Sequence, residues 1–546
     1  MNFLLKSLLL ISASHFSCKT TPPTPSQPFQ ISSIKIDGKE PKNATVFDVK
    51  ISPEIQLSFS SKINISTAKD AVLISNSKTK ENIISDIKLG SNDSTLVISP
   101  QKLTYLNSYN LQVLQTLKSS EKQTLNSEIQ MQFSTSIDST DKFPRISDEE
   151  LLTLVQKQTF KYFWDFGHPV SGLARERNSS GDVITSGGSG FGIMTIPVAI
   201  NRGFINREEG LDRMLKIVDF LQNKAIAYHG VFPHWLNGAT GATIPFSPKD
   251  NGADLVETSY LMAGLLTTRQ YFSQEIEKEI NLRKGITELW EAVDWNWHTQ
   301  NQDVLYWHWS PTFAWEMNHQ IHGWNEALIT YIMAAASPTH PIKKSVYDAG
   351  WARNGDMKNG KSFYGIKLPL GEDLGGPLFF EQYTFLGIDP RKLKDQYANY
   401  WEQAVNHTQI NRAYCVQNPK NYVGYSSDCW GLTASDNNTG YSAHSPTNDL
   451  GVITPTAALS SFPFTPKESM EAMRFFYYKL GDKIWKQHGF VDSFNLSKAW
   501  YADSFLAIDQ GPIVLMIENH RSGLLWKLLM ADKDIKTGLD KLGFEY

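Results

Sequence analysis

The sequence predicts a mainly α-helical protein whose helical part is preceded by a small all-β domain. Short alternating apolar runs occupy residues 29–137, helical patterns dominate 138–546, and a polar joint at 138–146 separates them. The 546 residues suffice for two or more domains with large cores. With 41% hydrophobic and 20% charged residues, the composition is that of an ordinary globular protein.

The N-terminal 18 residues predict a lipoprotein-type signal peptide. A lysine, a short apolar run and small residues precede Cys18, and the run is too short to span a membrane. Residues 19–28, KTTPPTPSQP, form a predicted tether. We therefore expect export across the inner membrane and a periplasmic or outer-membrane lipoprotein. Its one predicted membrane contact is the lipid anchor at Cys18.

Residues 29–137 carry strand patterns. The runs FQISSIKI, IQLSFSS, AVLIS, STLVISP, YNLQVLQ and EIQMQFSTS are separated by Asn, Asp, Gly and Ser. This pattern predicts a small β-sandwich and resembles the bacterial Ig-like modules that precede secreted enzymes. It contains no catalytic constellation, so we interpret it as a spacer or a docking module.

Helical patterns recur throughout residues 138–546. The clearest span 148–166, 206–225, 253–272, 275–293, 325–337 and 467–481. Long loops rich in Gly, Trp, Asn and Asp lie between several of them. Such a pattern favours an α/α toroid, in which inner helices are apolar almost all round and the loops at one end form the site. No exact internal repeat gives the number of helix pairs.

Several functional classes are disfavoured. The net charge is −4 without a long basic run, so we predict no nucleic-acid partner. The segment GGSGFGIM at 187–194 lacks the strand and the ending of a phosphate loop, and its glycines more plausibly let a loop and a helix pack closely. No Gly-x-Ser-x-Gly elbow occurs. Cys415 and Cys429 are either a disulfide or two unpaired buried residues. We predict no cofactor.

A metal site is also disfavoured. His319 and His322 have the spacing of a ligand pair, and Glu316 and Glu326 lie near them in sequence. A zinc-type site needs three or four converging ligands, whereas this stretch is surrounded by tryptophan. Polar residues of a sugar-binding loop are the better interpretation, and we predict no bound metal.

Tryptophan is concentrated between residues 290 and 324. Seven of the fifteen tryptophans fall there: Trp290, Trp295, Trp297, Trp307, Trp309, Trp315 and Trp324. Core packing can account for Trp290 and Trp295, on the preceding helix. Burying the others in a loop is costly unless each indole N–H finds a partner. Flat rings edged with hydrogen-bonding groups suit pyranose faces, so the cluster indicates a carbohydrate ligand.

Carboxylates open two apolar helical patterns. In DNGADLVETSYLMAGLL, spacings of four and three place Asp250, Asp254 and Glu257 on one face of a predicted helix. Glu326 likewise precedes an apolar run. A buried carboxylate must be paired, protonated or face a cavity. Crowded carboxylates can divide into a proton donor and a base, which glycoside hydrolysis requires. Structural salt bridges are the alternative.

Five segments resemble a known family: FGIMTIPVAINRGFINREEGLDRM, GVFPHWLNGATG, DLVETSYLMAGLL, HGWNEALITYIMAAASPTHPI and IDQGPIVLMIENHRSGLLWKLLM. They are similar to the bacterial glucoamylase-like domain, most of all to glycoside hydrolase family 144, the β-1,2-glucan-degrading group. The resemblance covers about residues 150–530. It implies an (α/α)6 toroid and an inverting hydrolase of β-1,2-linked glucose.

The resemblance places the family's acidic segments on the acids already selected. Asp254, Glu257 and Glu326 would supply a donor and a base, and Asp250 would tune their charge. The predicted sugar contacts, including two loop tryptophans, are His234, Trp235, Trp309, Trp324, Glu381, Gln382, Tyr383, Asp436, Tyr441 and Asp449. Alternatives are hydrolysis of another glucan and non-catalytic glycan binding at a surface. The oligomeric state is not specified by the sequence.

Overall fold

A computed structural model describes residues 27–41 and 45–546. The predicted signal peptide, Cys18 and most of the predicted tether lie outside the described residues. The chain divides into two compact units between Ser136 and Ile137. Among the described residues, no helix is long and apolar enough to cross a membrane.

The first unit is a β-sandwich. Its strands are β1 (Ile31–Ile36), β2 (Thr45–Val49), β3 (Ile55–Phe59), β4 (Val72–Asn76), β5 (Ser85–Leu89), β6 (Thr95–Pro100), β7 (Ser108–Val113) and β8 (Ile129–Thr135), with a short helix α1 (Ala68–Ala71). One sheet has the order β1-β3-β6-β5 and the other β2-β8-β7-β4. Alternate side chains such as Ile55, Leu57 and Phe59 point into the core, as the period-two pattern predicts.

The second unit is mainly helical. Its helices are α2 (Asp148–Trp164), α3 (Ser186–Asn201), α4 (Arg207–Asn223), α5 (Leu255–Tyr271), α6 (Glu277–Glu291), α7 (Leu328–Ala336), α8 (Phe379–Gln382), α9 (Tyr400–Gln417), α10 (Pro455–Leu459), α11 (Pro466–Arg474), α12 (Leu480–Ile484), α13 (Ala507–Arg521), α14 (Leu524–Ala531) and α15 (Lys533–Leu542). A π-helical turn, Phe475–Lys479, interrupts the helix predicted at 467–481.

Short strands stiffen the loops of the second unit. They are β9 (Val183–Thr185), β10 (Trp235–Asn237), β11 (Thr243–Ile244), β12 (Ala253–Asp254), β13 (His308–Trp309), β14 (Ser362–Phe363), β15 (Ile366–Lys367), β16 (Ala434–Asn437), β17 (Gly440–Ala443), β18 (Trp485–Lys486), β19 (Gly489–Phe490), β20 (Phe494–Asn495) and β21 (Trp500–Tyr501). The pairing of β12 with β13 places Asp254 opposite His308. Loops that are paired in this way hold their side chains in place.

Inner and outer helices differ in burial. Nearly every residue of α3, α5, α7 and α13 is buried, which is expected of helices enclosed by other helices. Helices α2, α4 and α6 bury one face and expose the other. Capping boxes begin α2 and α4, since Ser147 pairs with Glu150 and Asn206 with Glu209.

Glycines allow α3 and α5 to approach closely. A Cβ on Gly190 would lie 2.2 Å from the Tyr260 carbonyl oxygen, and one on Gly264 would lie 2.3 Å from the Gly190 oxygen. The expected role in close packing is therefore confirmed. The glycines themselves, however, lie within helix α3 rather than in a loop. Packing against α5 overcomes the poor helix propensity of glycine.

Helix α5 begins later than its sequence pattern suggests. Its first residue is Leu255, so Asp254 is the N-cap and Asp250 lies in the turn before β12. Only Glu257 belongs to the helix. The prediction that all three acids share one helical face is therefore wrong, because Asp254 adopts the extended backbone of a capping residue.

Candidate active site

The N-terminal ends of several inner helices meet at one end of the helical unit. Glu257, in the first turn of α5, accepts a hydrogen bond from the backbone N–H of Gly187 in the first turn of α3. A Cβ on Gly188 would lie 2.7 Å from that of Ala507, the first residue of α13. Since helix N-termini carry partial positive charge, this end of the unit favours carboxylates.

Asp254 and two histidines form a buried network. The side chain of Asp254 is fully buried. Its Oδ1 accepts the Glu257 N–H at 3.0 Å, and its Oδ2 lies 3.0 Å from His234 Nδ1. His308 Nδ1 lies 3.3 Å from Asp250 Oδ2 and 3.8 Å from Asp254 Oδ2. The predicted grouping of Asp250 with Asp254 is therefore present, with His308 between them.

The contacts in this network shift the pKa values of Asp254 and His234 in opposite directions. Burial alone would raise the pKa of Asp254, but the hydrogen bond from His234 and the charge of His308 outweigh it and lower that pKa. Burial opposes protonation of His234, yet Glu257 and Asp254 raise its pKa to about 9. An ionised aspartate paired with a protonated histidine is the expected state near neutrality.

Glu257 is held by the start of α3. Its Oε2 accepts hydrogen bonds from the Gly187 N–H at 2.8 Å and the Thr185 hydroxyl at 3.4 Å. Burial raises the pKa of Glu257, and the charge of Asp254 raises it further, although His234 acts in the opposite direction. Glu257 therefore binds a proton more readily than Asp254 does.

Glu326 differs from the other acids because its carboxylate has no hydrogen-bond partner from another described residue. Its backbone oxygen accepts bonds from the Tyr260 and Thr384 hydroxyls, at 3.2 Å and 3.0 Å, which fixes the residue beside α5. Desolvation, with the charges of Glu257 and Asp254, raises the pKa of Glu326 to about 7. The side chain is partly exposed, so a proton on it is accessible. We call Asp250, Asp254, Glu257 and Glu326 the acid cluster.

One part of this network has the residue types of a metal site. Within the described residues, His234, Asp250 and Asp254 bring ligand atoms within 4.8 Å of one another. Charge-assisted pairing also explains why these atoms lie close together. His234 pairs with Asp254, and His308 pairs with Asp250. His319 and His322 do not form the pair suggested by their spacing. His319 stacks on Trp307, and His322 Nδ1 bonds the Gly350 oxygen.

A second pair of carboxyl groups escaped the sequence analysis. Asp492 and Asp509 are both buried, and a proton on one carboxyl group would let it donate to the other. Desolvation and their mutual repulsion raise the pKa of Asp509 well above its usual range, while desolvation and the charge of Asp436 raise that of Asp492 to about 7. Asp509 opens the apolar helix α13 as Glu257 opens α5, so the same signal was present in the sequence.

Tyrosines lie between the two acidic groups. Burial raises the pKa of Tyr383, and the charges of Asp509 and Glu257 raise it further. The centroid of its ring lies 5.7 Å from that of the Tyr260 ring. The hydroxyl of Tyr260 reaches the Glu326 backbone. Tyr383 and Tyr260 are therefore close to the acid cluster, and the charge of Asp509 also acts on Tyr383.

The predicted sugar contacts divide into two groups. His234, Trp235, Trp309, Tyr383 and Asp436 are partly exposed, and Tyr441 is exposed. Buried instead are Trp324, Glu381, Gln382 and Asp449.

The four buried residues act as internal supports. Glu381 Oε1 accepts bonds from Trp324 Nε1 at 2.6 Å and Gln403 Nε2 at 2.7 Å. Gln382 donates to the Ala457 oxygen, and Asp449 accepts from the Tyr425 hydroxyl. This burial corrects the prediction that these four side chains contact sugar. Polar residues next to glycine-rich loops look alike in sequence whether they support a loop or bind a ligand.

The tryptophan-rich segment is partly core and partly loop. Trp290 and Trp295 are fully buried. Trp297 stacks on His229 with a centroid distance of 3.7 Å and lies 5.3 Å from Trp309. Cys415 and Cys429, whose pairing the sequence left open, are buried free thiols.

Two family models match the chain. Residues 31–135 match the bacterial Ig-like domain, and residues 318–533 match the family described as "Putative glucoamylase". A crystal structure from Bacteroides uniformis with the latter description is 58% identical, with a TM-score of 0.73; the match covers 74% of this chain and 99% of that one.

Two further relatives carry functional names. An exo β-1,2-glucooligosaccharide sophorohydrolase (non-reducing end) from Parabacteroides distasonis is 47% identical over 420 residues, which is 73% of this chain and 58% of the relative. The chain thus spans less than two thirds of that protein. An endo-β-1,2-glucanase from Chitinophaga pinensis, solved with sophorotriose and glucose, is 52% identical with a TM-score of 0.72; the match covers 74% of this chain and 99% of that one.

Fold and site together define the class of protein: a helical carbohydrate-active domain preceded by a bacterial Ig-like domain. The chain belongs to the bacterial glucoamylase-like family, since it covers almost all of the two solved relatives at more than 50% identity. This confirms the family resemblance, including that to glycoside hydrolase family 144, that the sequence motifs indicate.

Proposed function

We propose that this chain is an inverting glycoside hydrolase that cleaves β-1,2-linked glucan or its oligosaccharides. The acid cluster carries the proposal, because the pKa of Glu326 lets it hold a proton near neutrality while Glu257 beside it keeps one carboxylate oxygen free. The names of the Parabacteroides and Chitinophaga relatives support the β-1,2 linkage. Binding alone does not require buried carboxylates of this kind.

We assign proton donation to Glu326. Its carboxyl group is accessible, has a pKa of about 7 and is not held by another side chain. Protonation of the glycosidic oxygen by Glu326 would accompany cleavage of the bond between that oxygen and the anomeric carbon. The proposal needs Glu326 in its protonated form at the start of each turnover.

Glu257 is the proposed general base. Only its Oε2 is held, by Gly187 and Thr185, so Oε1 remains available for a water molecule. Glu257 would take a proton from water as the water oxygen bonds the anomeric carbon from the opposite face. Protonated His234 lowers the pKa of Glu257 and so favours the ionised form that a base requires, against burial and the charge of Asp254, which raise that pKa. Inversion of this kind needs a separation of roughly 6.5–9.5 Å between the two acting carboxyl groups.

The proposed architecture of the helical unit is an (α/α)6 toroid. Support comes from the alternation of exposed helices α2, α4 and α6 with enclosed helices α3, α5 and α7 along the chain. In such a toroid the N-terminal ends of inner helices line the site, and Gly187, Glu257 and Asp509 occupy those positions here.

We also propose export and lipid anchoring through Cys18. The N-terminal sequence is the support, with its lysine, short apolar run and cysteine. Expression in a Gram-negative host should place the wild-type chain in the membrane fraction, and Cys18→Ala should release it to the soluble periplasm. Equal distribution of both forms would contradict the anchor.

A substrate panel tests the proposed function. The purified full chain should release products from linear β-1,2-glucan and from sophoro-oligosaccharides, and not from α-1,4-glucan, β-1,3-glucan or β-1,4-glucan. Activity on an α-glucan alone would replace the substrate assignment while keeping the acid cluster. Binding of β-1,2-glucan without any product would favour a non-catalytic glycan-binding protein.

A further inference from the structure

A cavity lies beside the second pair of carboxyl groups. Its volume is about 620 Å³, and it opens between the 177–179 turn, the β16–β17 hairpin and the 500–504 segment. We call it the hairpin cavity. Its lining includes Arg177, Asn178, Asp436, Tyr441, Trp500 and Tyr501. Such a space is large enough for more than one hexose ring.

Three aromatic side chains line the hairpin cavity. Within the described residues, the rings of Tyr441, Trp500 and Tyr501 contact no other ring, whereas most aromatic residues of the helical unit pack in pairs. Tyr441 is 47% exposed at the hairpin. Flat apolar faces that no other ring covers are suited to sugar rings.

The cationic side chain that lines the hairpin cavity, Arg177, is already paired. Arg177 lies 3.0 Å from Glu176 Oε2 and 3.1 Å from Asp436 Oδ2, and the Ser504 hydroxyl donates to Asp436 at 2.5 Å. These contacts neutralise the guanidinium and fix the hairpin to the rest of the wall. A neutral, polyhydroxylated ligand therefore fits this cavity better than an anionic ligand does, because Arg177 is paired and Asp503 also lines the cavity.

The hairpin cavity adjoins the pair Asp492–Asp509. The Asp436 backbone N–H donates to Asp492 Oδ2 at 2.7 Å. The phenol of Tyr441 lies close enough to Asp509 and Asp492 for their charges to act on it. The charges of Asp509 and Glu257 both raise the pKa of Tyr383. A chain of sugar units leaving the acid cluster along these tyrosines would reach the hairpin cavity.

We propose that the hairpin cavity is a remote glucosyl-binding subsite in which Trp500 and Tyr441 stack on a sugar unit that is not part of the cleaved bond. This inference rests on the proposed function and extends it to substrate length. The subsite would add affinity only for substrates long enough to reach it. Short oligosaccharides would bind without using it.

Chain-length kinetics test the subsite. The full chain, Trp500→Ala and Tyr441→Ala are compared on a series of β-1,2-glucooligosaccharides from the shortest cleaved substrate upward. Loss of one stacked aromatic face should lower kcat/KM for long substrates about tenfold and leave the shortest substrate almost unchanged. Trp500→Phe should recover most of the loss, because it restores an aromatic face.

The control is Tyr105→Ala, which removes a similarly exposed aromatic residue from the β-sandwich unit. It should change no kinetic parameter. An equal loss at every substrate length, or no loss at any length, would overturn the remote subsite. Thermal unfolding separates misfolding of Trp500→Ala from a binding effect, and Tyr441→Ala then decides the question. If the wild-type chain cleaves no member of the series, the proposed function itself fails, which is a different result.

Discussion

The backbone N–H of Gly187 donates a 2.8 Å hydrogen bond to Oε2 of Glu257, and the two residues open neighbouring inner helices. A Cβ on residue 187 would lie 2.4 Å from that same oxygen. Glycine is therefore required here by the carboxylate rather than by backbone conformation. The contact links the packing of α3 against α5 directly to the proposed base.

Gly187→Ala should therefore impair turnover more than folding. The added methyl group must displace the Glu257 carboxylate, and we expect kcat to fall at least about tenfold. The matched control is Gly203→Ala, just after the same helix, where no atom lies within 4 Å of the added Cβ. Its positive φ of 69° should cost about 1 kcal/mol of stability without loss of kcat. Steady-state kinetics and thermal unfolding of both variants check this, and equal activity of the two variants would contradict it.

Glu326→Gln should abolish proton donation while preserving substrate binding. We expect kcat on β-1,2-glucan to fall roughly 100- to 10,000-fold, the range for a lost general acid. An aryl glycoside with an acidic phenol needs less protonation, so its hydrolysis should fall much less. Kinetics on both substrates measure the difference. A similar loss on both substrates would remove Glu326 from the donor role.

The activity should decline as pH rises above about 7. Burial and the charges of Glu257 and Asp254 raise the pKa of Glu326 to about 7, and the donor must be protonated to act. The alkaline limb of the kcat/KM profile on β-1,2-glucan should therefore have a midpoint near that value. The limb should weaken with the aryl glycoside. A profile on glucan that stays flat to about pH 9 would contradict this assignment.

Stability should also fall with rising pH through the pair Asp492–Asp509. Burial and mutual repulsion raise the pKa of Asp509 in the folded state, so the folded chain holds a proton that the unfolded chain releases. This contribution is complete below the ordinary carboxyl pKa of about 4 and is lost as pH rises through the folded pKa, which is about 7 for Asp492. Asp436, Arg177 and Tyr441 are the other titratable groups facing the pair.

Asp509→Asn removes the proton-dependent partner but keeps a donor for Asp492. The melting temperature of the wild type should therefore fall more between about pH 5 and pH 8 than that of the variant. The control is Asp503→Asn, an exposed acid nearby whose replacement should leave the pH dependence unchanged. Parallel curves for wild type and Asp509→Asn would show that the pair does not titrate in this range.

Sequence patterns predicted the all-β part and the mainly helical part because the periods of two and 3.6 residues are local. They did not predict helix α3, whose four glycines disfavour helix in isolation and become favourable only when α5 lies against them. The start of α5 was misplaced for a related reason. Asp254 continues a helical spacing in sequence, yet pairing with His308 holds it in an extended conformation.

The acid cluster was predictable in part. Isolated carboxylates at the start of apolar runs pointed to Glu257 and Glu326, and the same reasoning applied to Asp509 would have found the second pair. The histidine network was beyond sequence reasoning, because His308 reaches Asp250 only through the pairing of β12 with β13. Glu381 shows the opposite error, since its polar sequence context concealed complete burial.

The most direct test of the proposed mechanism is the anomeric configuration of the first product released from linear β-1,2-glucan by the full chain, followed by NMR. Attack of water on the face opposite the leaving oxygen predicts initial appearance of the α-anomer at the new reducing end. Initial appearance of the β-anomer would contradict the account, because it requires retention through a covalent intermediate instead of a base-activated water.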